Sequence, residues 1–305
     1  MQKPLNILLM LIGILFFEKC FSQKKVNPKN VKMIVLIPGP DSHGVGEHEH
    51  AGGCTLLAKL LNENVPSVEA IVTEAGWPKD TTLLDKASAI VLYCDGGNKH
   101  LVLPHMAHID KLMKKGVGLV NLHFAVEIPK EKGGKNFLQW IGGYFESNYS
   151  VNPLWTIKLA SLPKHPITNG VSPFQAHDEW YYHLRFVQND KNLVPILQAL
   201  PPASTLDQPE GPYSNNPYVR ESVLVKKEPQ TVAWAYTRLG GGRGFGFTGA
   251  HMHKNWMNDD FRKLVLNAII WTAKLEVPEN GIITTTPTQS EMEALQKKAA
   301  VPFRD

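Results

Sequence analysis

Short apolar segments that do not alternate with polar residues constrain the fold of this chain more than any other feature. Four of them lie in the first half of the 305-residue sequence, at residues 31–37, 68–72, 87–92 and 117–124. Strands of this type are buried on both faces, as in parallel sheets. Segments with helical spacing or a helix-start signal lie between them, at residues 51–64 and 104–115. The pattern predicts an α/β fold with a doubly wound, mostly parallel sheet.

The second half of the chain is richer in predicted strands. These added β-strands are expected at residues 155–159, 179–186, 193–200, 222–225, 231–236 and 245–248. A Pro-, Ser- and Asn-rich segment at 201–220 is long enough for a lid or a binding loop. An amphipathic helix is expected at 259–273, and a short terminal helix at 290–299.

Several polar groups follow the predicted parallel strands directly. They are a His-rich loop after the first strand, Asp95-Gly96-Gly97 after the third, and His123 at the end of the fourth. Ligands of open α/β sheets bind beyond the carboxyl ends of the strands. The sequence therefore predicts one cleft at this edge, which brings His43, His123, Asp178 and His251 together.

The segment 177–186 combines two carboxylates, two His, three large aromatic residues and an Arg. If it is extended, Asp178, Trp180 and Tyr182 face one side, and Glu179 faces the other together with Tyr181. Carboxylates beside aromatic rings are typical of a sugar-sized pocket, where rings cover apolar faces and acids bind hydroxyls. Asp178 and Glu179 are thus candidate acid/base residues, and Trp180 and Tyr182 candidate substrate contacts. The alternative is an edge strand with a polar rim.

Three His of the loop after the first strand, His43, His48 and His50, lie within eight residues and could hold a metal. His48 and His50 are the candidate ligands, zinc or a similar divalent ion the candidate cofactor, and His43 a candidate substrate contact. A polar loop whose His residues bind backbone remains an alternative.

Three further clusters carry candidate residues. His123 is a candidate base or ligand, with Glu127 four residues on to orient it or to contact the substrate. Arg243 is a candidate clamp for an anion or a sugar oxygen, and His251, in the same Gly-rich segment, is a candidate substrate contact. A Gly-rich hairpin with incidental His residues is the alternative. Cys94 at a strand end is a nucleophile candidate, with a buried structural thiol as the alternative.

The two ends of the chain are predicted to be separate from the body. Residues 1–22 have a charged start, an apolar run and small residues typical of a signal peptide, which predicts a periplasmic or secreted protein with no membrane anchor after cleavage. A lipoprotein attached through Cys20 is a minor alternative. Removal of this segment lowers the net charge from +4 to +3, too little for a nucleic-acid partner. Residues 276–305 form a polar C-terminal extension.

A family resemblance rests on motifs spread through residues 31–275. They include Gly116 to Val120 with His123, Trp140 to Glu146, His165 to Val171, Asp178 to Tyr181, Gly242-Arg243-Gly244, and Arg262 to Trp271. In their order these motifs resemble the ThuA-like (trehalose utilisation) family. The resemblance implies a flavodoxin-like sheet similar to that of class I glutamine amidotransferases. Those enzymes carry a nucleophilic Cys after the strand that ends here at His123, so glutamine hydrolysis is not expected.

The residues and the resemblance together favour a carbohydrate-active protein. The resemblance implies disaccharide catabolism through glycosides oxidised at carbon three. We expect hydrolysis, lyase or isomerase chemistry on such a keto-glycoside, because a carbonyl acidifies the neighbouring C–H bond. A non-catalytic carbohydrate-binding module with the same pocket is the alternative. The sequence leaves the oligomeric state open.

Overall fold

The computed structural model describes residues 31–297. The signal peptide at 1–22 and the end of the C-terminal extension lie outside the described residues, so these predictions stay open. Within 31–297 no helix is both long enough and apolar enough to cross a membrane.

A seven-stranded sheet forms the centre of the molecule, in the order β2-β1-β3-β4-β11-β10-β9. Its strands are β1 (Lys32–Pro38), β2 (Val68–Val72), β3 (Ala89–Tyr93), β4 (Gly118–Leu122), β9 (Leu193–Ala199), β10 (Gln230–Thr237) and β11 (Arg243–Phe247). Five neighbouring strands pair in parallel, in the spatial order β2, β1, β3, β4 and β11. β10 is antiparallel to both of its neighbours, β11 and β9. The predicted mostly parallel α/β sheet with added strands is confirmed.

Helices cover both faces of this sheet. They are α1 (His50–Asn64), α2 (Thr82–Lys86), α3 (Met106–Lys114), α4 (Lys135–Ile141), α5 (Pro217–Arg220), α6 (Asp259–Thr272) and α7 (Gln289–Ala294). The buried residues of α1 and α6 belong to one apolar core, and those of α3 and α4 to the other. The central strands are buried on both faces because successive side chains of a strand pack alternately into the two cores.

Two small antiparallel sheets complete the second half. They pair β5 (Gly143–Tyr144) with β8 (Arg185–Phe186), and β6 (Leu154–Lys158) with β7 (Gln175–Glu179). The predicted strand at 179–186 is therefore the end of β7, an irregular segment and β8. The strand expected at 222–225 is wrong, because a π-helical turn continues there from α5. A short apolar run does not distinguish a buried strand from a helical turn.

Candidate metal centre

Four side chains meet beyond the carboxyl ends of the central strands. His123 follows β4, His251 follows β11, Glu179 ends β7, and His48 lies in the loop after β1. The backbone of His48 and His123 is left-handed, with φ of 46° and 54°. This conformation costs free energy in a non-glycine residue, and residues strained in this way are often found at functional sites. We refer to these four residues as the histidine cluster.

The nitrogen and oxygen atoms of this cluster converge on one point. Nε2 of His48 lies 3.0 Å from Nε2 of His123 and 2.9 Å from Nδ1 of His251. The latter two nitrogens are 3.3 Å apart. Oε2 of Glu179 lies 3.5 Å from the His123 nitrogen and 3.3 Å from the His251 nitrogen. Three imidazoles this close, in a buried place, cannot all donate hydrogen bonds to one another.

The partners on the far side of two rings assign their tautomers. Nδ1 of His123 lies 2.8 Å from the carbonyl oxygen of Thr248, which can only accept. Nδ1 of His48 lies 3.1 Å from Oδ1 of Asp95. Both Nδ1 atoms therefore carry the proton, and both Nε2 atoms point their lone pairs into the cluster. Two lone pairs 3.0 Å apart repel each other unless a cation lies between them.

The electrostatics of Glu179 and His251 favour a positive charge at this point, whereas His48 itself does not take up an extra proton. Burial alone would raise the pKa of Glu179, but its hydrogen bonds with His123 and His251 lower that pKa to about 2. Burial would lower the pKa of His251, but Glu179 raises it above its ordinary value. Burial, with help from His123, lowers the pKa of His48 to about 2 despite the opposing effect of Asp95. His48 therefore stays neutral at neutral pH, with no second proton on Nε2.

The donor set fits a divalent transition metal. A tetrahedral ion with bonds of about 2.0–2.1 Å places its ligand atoms about 3.3 Å apart. Five of the six separations between these ligand atoms run from 2.9 to 3.5 Å, and all of the atoms lie within 4.8 Å of one another. Imidazole and carboxylate ligands suit zinc, and they also bind iron, manganese and nickel. Carboxylates face the outer nitrogens of two rings: Asp95 lies 3.1 Å from Nδ1 of His48, and Glu47 lies 3.8 Å from Nε2 of His251. A carboxylate behind a His ring, as Asp95 is placed, is common in metal sites.

The loop that carries His48 is held by the C-terminal segment. Nζ of Lys297 donates to the carbonyl oxygens of Ser42 and Glu47, at 2.7 and 3.1 Å. The backbone N–H groups of Lys297 and Gly46 donate to the two oxygens of the buried Glu49, at 2.9 and 2.8 Å. Residues beyond α7 thus bind directly to the loop after β1.

A second ionisable group lies beside the cluster. Burial raises the pKa of Glu127 to about 7, although its hydrogen bond from Tyr213 acts in the opposite direction, and Glu179 adds to the rise. The hydroxyl of Tyr213 lies 3.3 Å from Oε1 of Glu127, and its ring stacks on Phe145. Tyr213 belongs to the predicted long loop at 201–220, which reaches the site. Glu127 does not orient His123, whose Nδ1 is bound by Thr248.

Asp178 lies beside the cluster as predicted, but its contacts do not suit an acid/base role. Oδ1 accepts from the backbone N–H groups of Glu179, His251 and Met252, and Oδ2 accepts from Ala250 N and from Asn255 Nδ2. The side chain is fully buried. Asp178 therefore fixes the turn that presents His251, and has no oxygen left for a substrate.

Trp180 and Tyr182 do not face the site, in contrast to the prediction. Trp180 is fully buried, with its ring against Phe247 and Phe261 in the apolar core. Tyr182 is also buried, and its hydroxyl bonds the hydroxyl of Thr205 at 2.7 Å. Both lie on the Asp178 side of the chain, and this is the side that packs on the core.

Arg243 is far from the cluster. It starts β11, at the opposite end of the strand from His251, and Nη1 donates to the carbonyl oxygen of Trp271 at 2.8 Å. The predicted sugar clamp is therefore wrong in its placement. His50 is close but turned away, because its Nδ1 bonds the carbonyl oxygen of Pro40 at 2.9 Å. Its other nitrogen is not among the converging ligand atoms.

The remaining two candidates differ in outcome. The ring of His43 lies against that of His48, with centroids 3.7 Å apart and planes tilted by 33°. His43 is only partly buried, so it lies at the exposed side of the cluster. Burial raises the pKa of the Cys94 thiol to about 12. That thiol stays protonated at neutral pH, which argues against a Cys nucleophile.

Two residues at the site were given no role in the sequence analysis, although Asp95 was among the polar groups expected at this edge. Asp95 contacts His48, and the hydroxyl of Tyr181 lies 3.3 Å from Nε2 of His123. Both carried a usable signal. Asp95 directly follows a buried strand, and Tyr181 shares a face with Glu179 in an extended segment.

Known proteins resemble the chain in family and in fold. A family model described as trehalose utilisation, ThuA, matches residues 40–272. No curated protein sequence matches. A solved ThuA-like protein of Bacteroides uniformis is 16% identical with a TM-score of 0.56, over 81% of this chain and 93% of that one. A ThuA-like protein of Parabacteroides merdae is 14% identical with a TM-score of 0.49, over 86% and 99%.

Proposed function

The chain belongs to the ThuA family of trehalose-utilisation proteins, and we propose that it is an exported, metal-dependent enzyme acting on a keto-glycoside. The observation that carries the proposal is the convergence of lone pairs from His48 and His123 at 3.0 Å, completed by His251 and Glu179. A buried arrangement of this kind is unfavourable without a cation. Its place beyond the carboxyl ends of the parallel strands is where such folds bind ligands.

The three imidazoles would hold the ion from the buried side, and Glu179 from the more exposed side. A bound divalent ion acts as a Lewis acid that polarises a carbonyl oxygen. Glu127, with a pKa of about 7, is partly ionised at neutral pH and can take a proton from the carbon beside that carbonyl. His43 lies on the open side of the cluster, where it can contact a sugar hydroxyl.

The balanced reaction that suits this arrangement is an elimination. In a glycoside oxidised at carbon three, Glu127 removes the proton from carbon two, and that electron pair forms the double bond between carbons one and two. The bond from carbon one to the glycosidic oxygen breaks. Glu127 then returns its proton to the departing oxygen, so the enzyme ends unchanged. Addition of water to the unsaturated product gives the outcome of hydrolysis.

The test combines metal analysis with turnover. Purified wild-type protein should contain about one equivalent of a transition metal, and should cleave a 3-keto-disaccharide but not the parent disaccharide. His123→Ala should lose both metal and turnover. A matched control is His100→Ala, because His100 is equally buried but bonds the Ala125 carbonyl outside the cluster. His100→Ala should be less stable than wild type and should retain the metal.

Two results would contradict the proposal in different ways. Full activity after complete removal of metal by a chelator would leave only acid–base chemistry by Glu127 and its neighbours. Tight binding of the keto-disaccharide without any turnover, with metal present, would favour the non-catalytic carbohydrate-binding module. Export is tested separately: peptides of intact residues 1–22 in the protein isolated from its native cells would argue against a cleaved signal.

A further inference from the structure

A cavity of about 320 Å³ lies next to the histidine cluster, between the loops that follow β1 and β3. Pro40, Asp41 and Ser42 line it from the first loop, and Asp95, Lys99 and Leu101 from the second. β1 lies between β2 and β3 in the sheet, and the chain leaves β1 toward β2 but continues from β3 toward β4. This is the topological switch point, where doubly wound sheets bind their ligands.

The lining suits a neutral, hydroxyl-rich ligand. It combines the carboxylates of Asp41 and Asp95 with one ammonium group, that of Lys99, and with apolar surface from Leu101. The two acids outnumber the single base, which disfavours a phosphorylated or otherwise anionic ligand. Carboxylates accept hydrogen bonds from hydroxyls, and an ammonium group donates to ring or hydroxyl oxygens. The volume is large enough for a sugar ring.

Asp95 connects this cavity to the cluster. Among the described residues, all of its hydrogen bonds are made by Oδ1, which accepts from Ser42 Oγ at 2.8 Å and faces Nδ1 of His48 at 3.1 Å. Its side chain is 30% exposed, so Oδ2 is available to a ligand in the cavity. The same loop passes Glu127, since a Cβ on Gly97 would lie 3.2 Å from Oε1 of Glu127. The loop after β3 therefore lines the cavity and also contacts the proposed proton acceptor.

We propose that this cavity is the subsite for the non-reacting sugar of a neutral disaccharide, while the oxidised ring lies against the histidine cluster and Glu127. This rests on the proposed function and extends it to the size and charge of the substrate. Contacts to a remote ring provide binding energy that positions the reacting ring. Asp95 then has two functions, because it fixes the tautomer of His48 and accepts a hydrogen bond from the second sugar.

The experiment compares two substrates on the metal-loaded protein, a 3-keto-disaccharide and the methyl glycoside of the same 3-keto-sugar. Wild-type protein should have the higher kcat/KM for the disaccharide. Leu101→Trp fills the cavity and should lower kcat/KM about tenfold for the disaccharide alone. Lys99→Ala, a change of an exposed side chain, should lower it several-fold. Both variants should keep the wild-type metal content and their activity on the methyl glycoside.

Equal losses on both substrates, or no loss in either variant, would overturn the subsite. If wild-type protein cleaves neither substrate, the proposed function fails while the subsite remains testable by calorimetry with the unoxidised disaccharide. Binding that is weakened by Leu101→Trp and Lys99→Ala would then support the subsite. Absence of binding to wild type, or binding that both variants retain, would overturn it.

Discussion

The two ends of strand β11 contain polar side chains with opposite kinds of partner. At the start of the strand, Arg243 donates to the Trp271 carbonyl and lies over the Trp271 ring, and Arg238 donates to the carbonyl oxygens of Trp140 and Val117. Beyond its other end, about 17 Å away for five residues, the polar side-chain partners of His251 within residues 31–297 are all ionisable. The polar groups at the start of β11 complete the fold, whereas those beyond its end converge on one another in the way that the ligands of a metal ion do.

The largest effect that tests this comparison should come from substituting one residue at each end of β11. His251→Ala removes a ligand atom and should lower metal content below a tenth of an equivalent and turnover at least about a thousandfold. Arg243→Met keeps the apolar contact with Trp271 and should lower the free energy of unfolding by about 1 kcal/mol, the net value of one hydrogen bond. Metal analysis, turnover and urea unfolding measure these outcomes. Loss of metal in Arg243→Met would break the comparison.

The adjacent carboxylates Asp178 and Glu179 allow the same comparison at the site itself, because Asp178 binds backbone N–H groups and Glu179 faces the histidine cluster. Asp178→Asn should lower the free energy of unfolding by about 3 kcal/mol, because both oxygens accept from N–H groups and an amide replaces one acceptor with a donor. Glu179→Gln should leave stability within about 1 kcal/mol and abolish turnover. Urea unfolding and turnover at saturating metal distinguish them. If Glu179→Gln kept its activity and Asp178→Asn lost it, the structural role of Asp178 and the functional role of Glu179 would have to be reversed.

Much of the fold could be predicted from the sequence because burial on both faces leaves a local signature. β2 was predicted at the residues where it lies, and the other parallel strands within a few residues. Helix α4 has no such signature, because it is short and follows a π-helical turn at Lys130–Gly134. Its place is decided by packing against the sheet, which sequence periodicity does not report.

The site could be predicted in part, for a related reason. Strand ends converge in a parallel sheet, so His48, His123 and His251 could be assigned to one edge. Alternation separated Asp178 from Glu179, but only tertiary packing decides which side meets the core. Arg243 was misplaced because it is near His251 in sequence, and a strand lies between them.

A smaller effect is expected from the pH dependence of Glu127. Burial raises its pKa from 4.5 in the unfolded chain to about 7. Between these values the unfolded chain releases the proton while the folded protein keeps it, so stability falls as pH rises through this window. Glu127→Gln should therefore be more stable than wild type above pH 7, by about 1–3 kcal/mol, and no more stable below pH 4.5. Thermal unfolding across this pH range measures the difference.

Activity gives a second measure of the same residue. A proton acceptor must be ionised, so wild-type kcat should rise with pH and level off above about 7, the pKa of Glu127. Glu127→Gln should lose about a hundredfold in kcat and lose this rise, with its metal content unchanged. If kcat of the variant still rose with pH at the same midpoint, a group other than Glu127 would be responsible for the rise.

The smallest effect should come from the C-terminal segment, which lies beyond the family match at 40–272. Lys297→Ala removes the two bonds from Nζ to the loop that carries His48. The loop then samples more conformations before it binds metal, so the dissociation constant should rise about tenfold, equivalent to about 1.4 kcal/mol. Competition with a chromogenic chelator measures this constant.

A matched control separates this effect from a general loss of charge. Lys59 pairs with Glu291 of α7 at 3.3 Å, with both side chains about half exposed, and within residues 31–297 its ammonium group forms no ion pair with the loop after β1. Lys59→Ala should change the dissociation constant less than twofold, as expected for a surface ion pair. A second change acts from the first turn of helix α1: a Cβ on Gly52 would overlap the Leu295 carbonyl oxygen, so Gly52→Ala should displace the segment and weaken metal binding at least as much as Lys297→Ala. Unchanged metal affinity in both Lys297→Ala and Gly52→Ala would show that the loop holds His48 in place without the C-terminal segment.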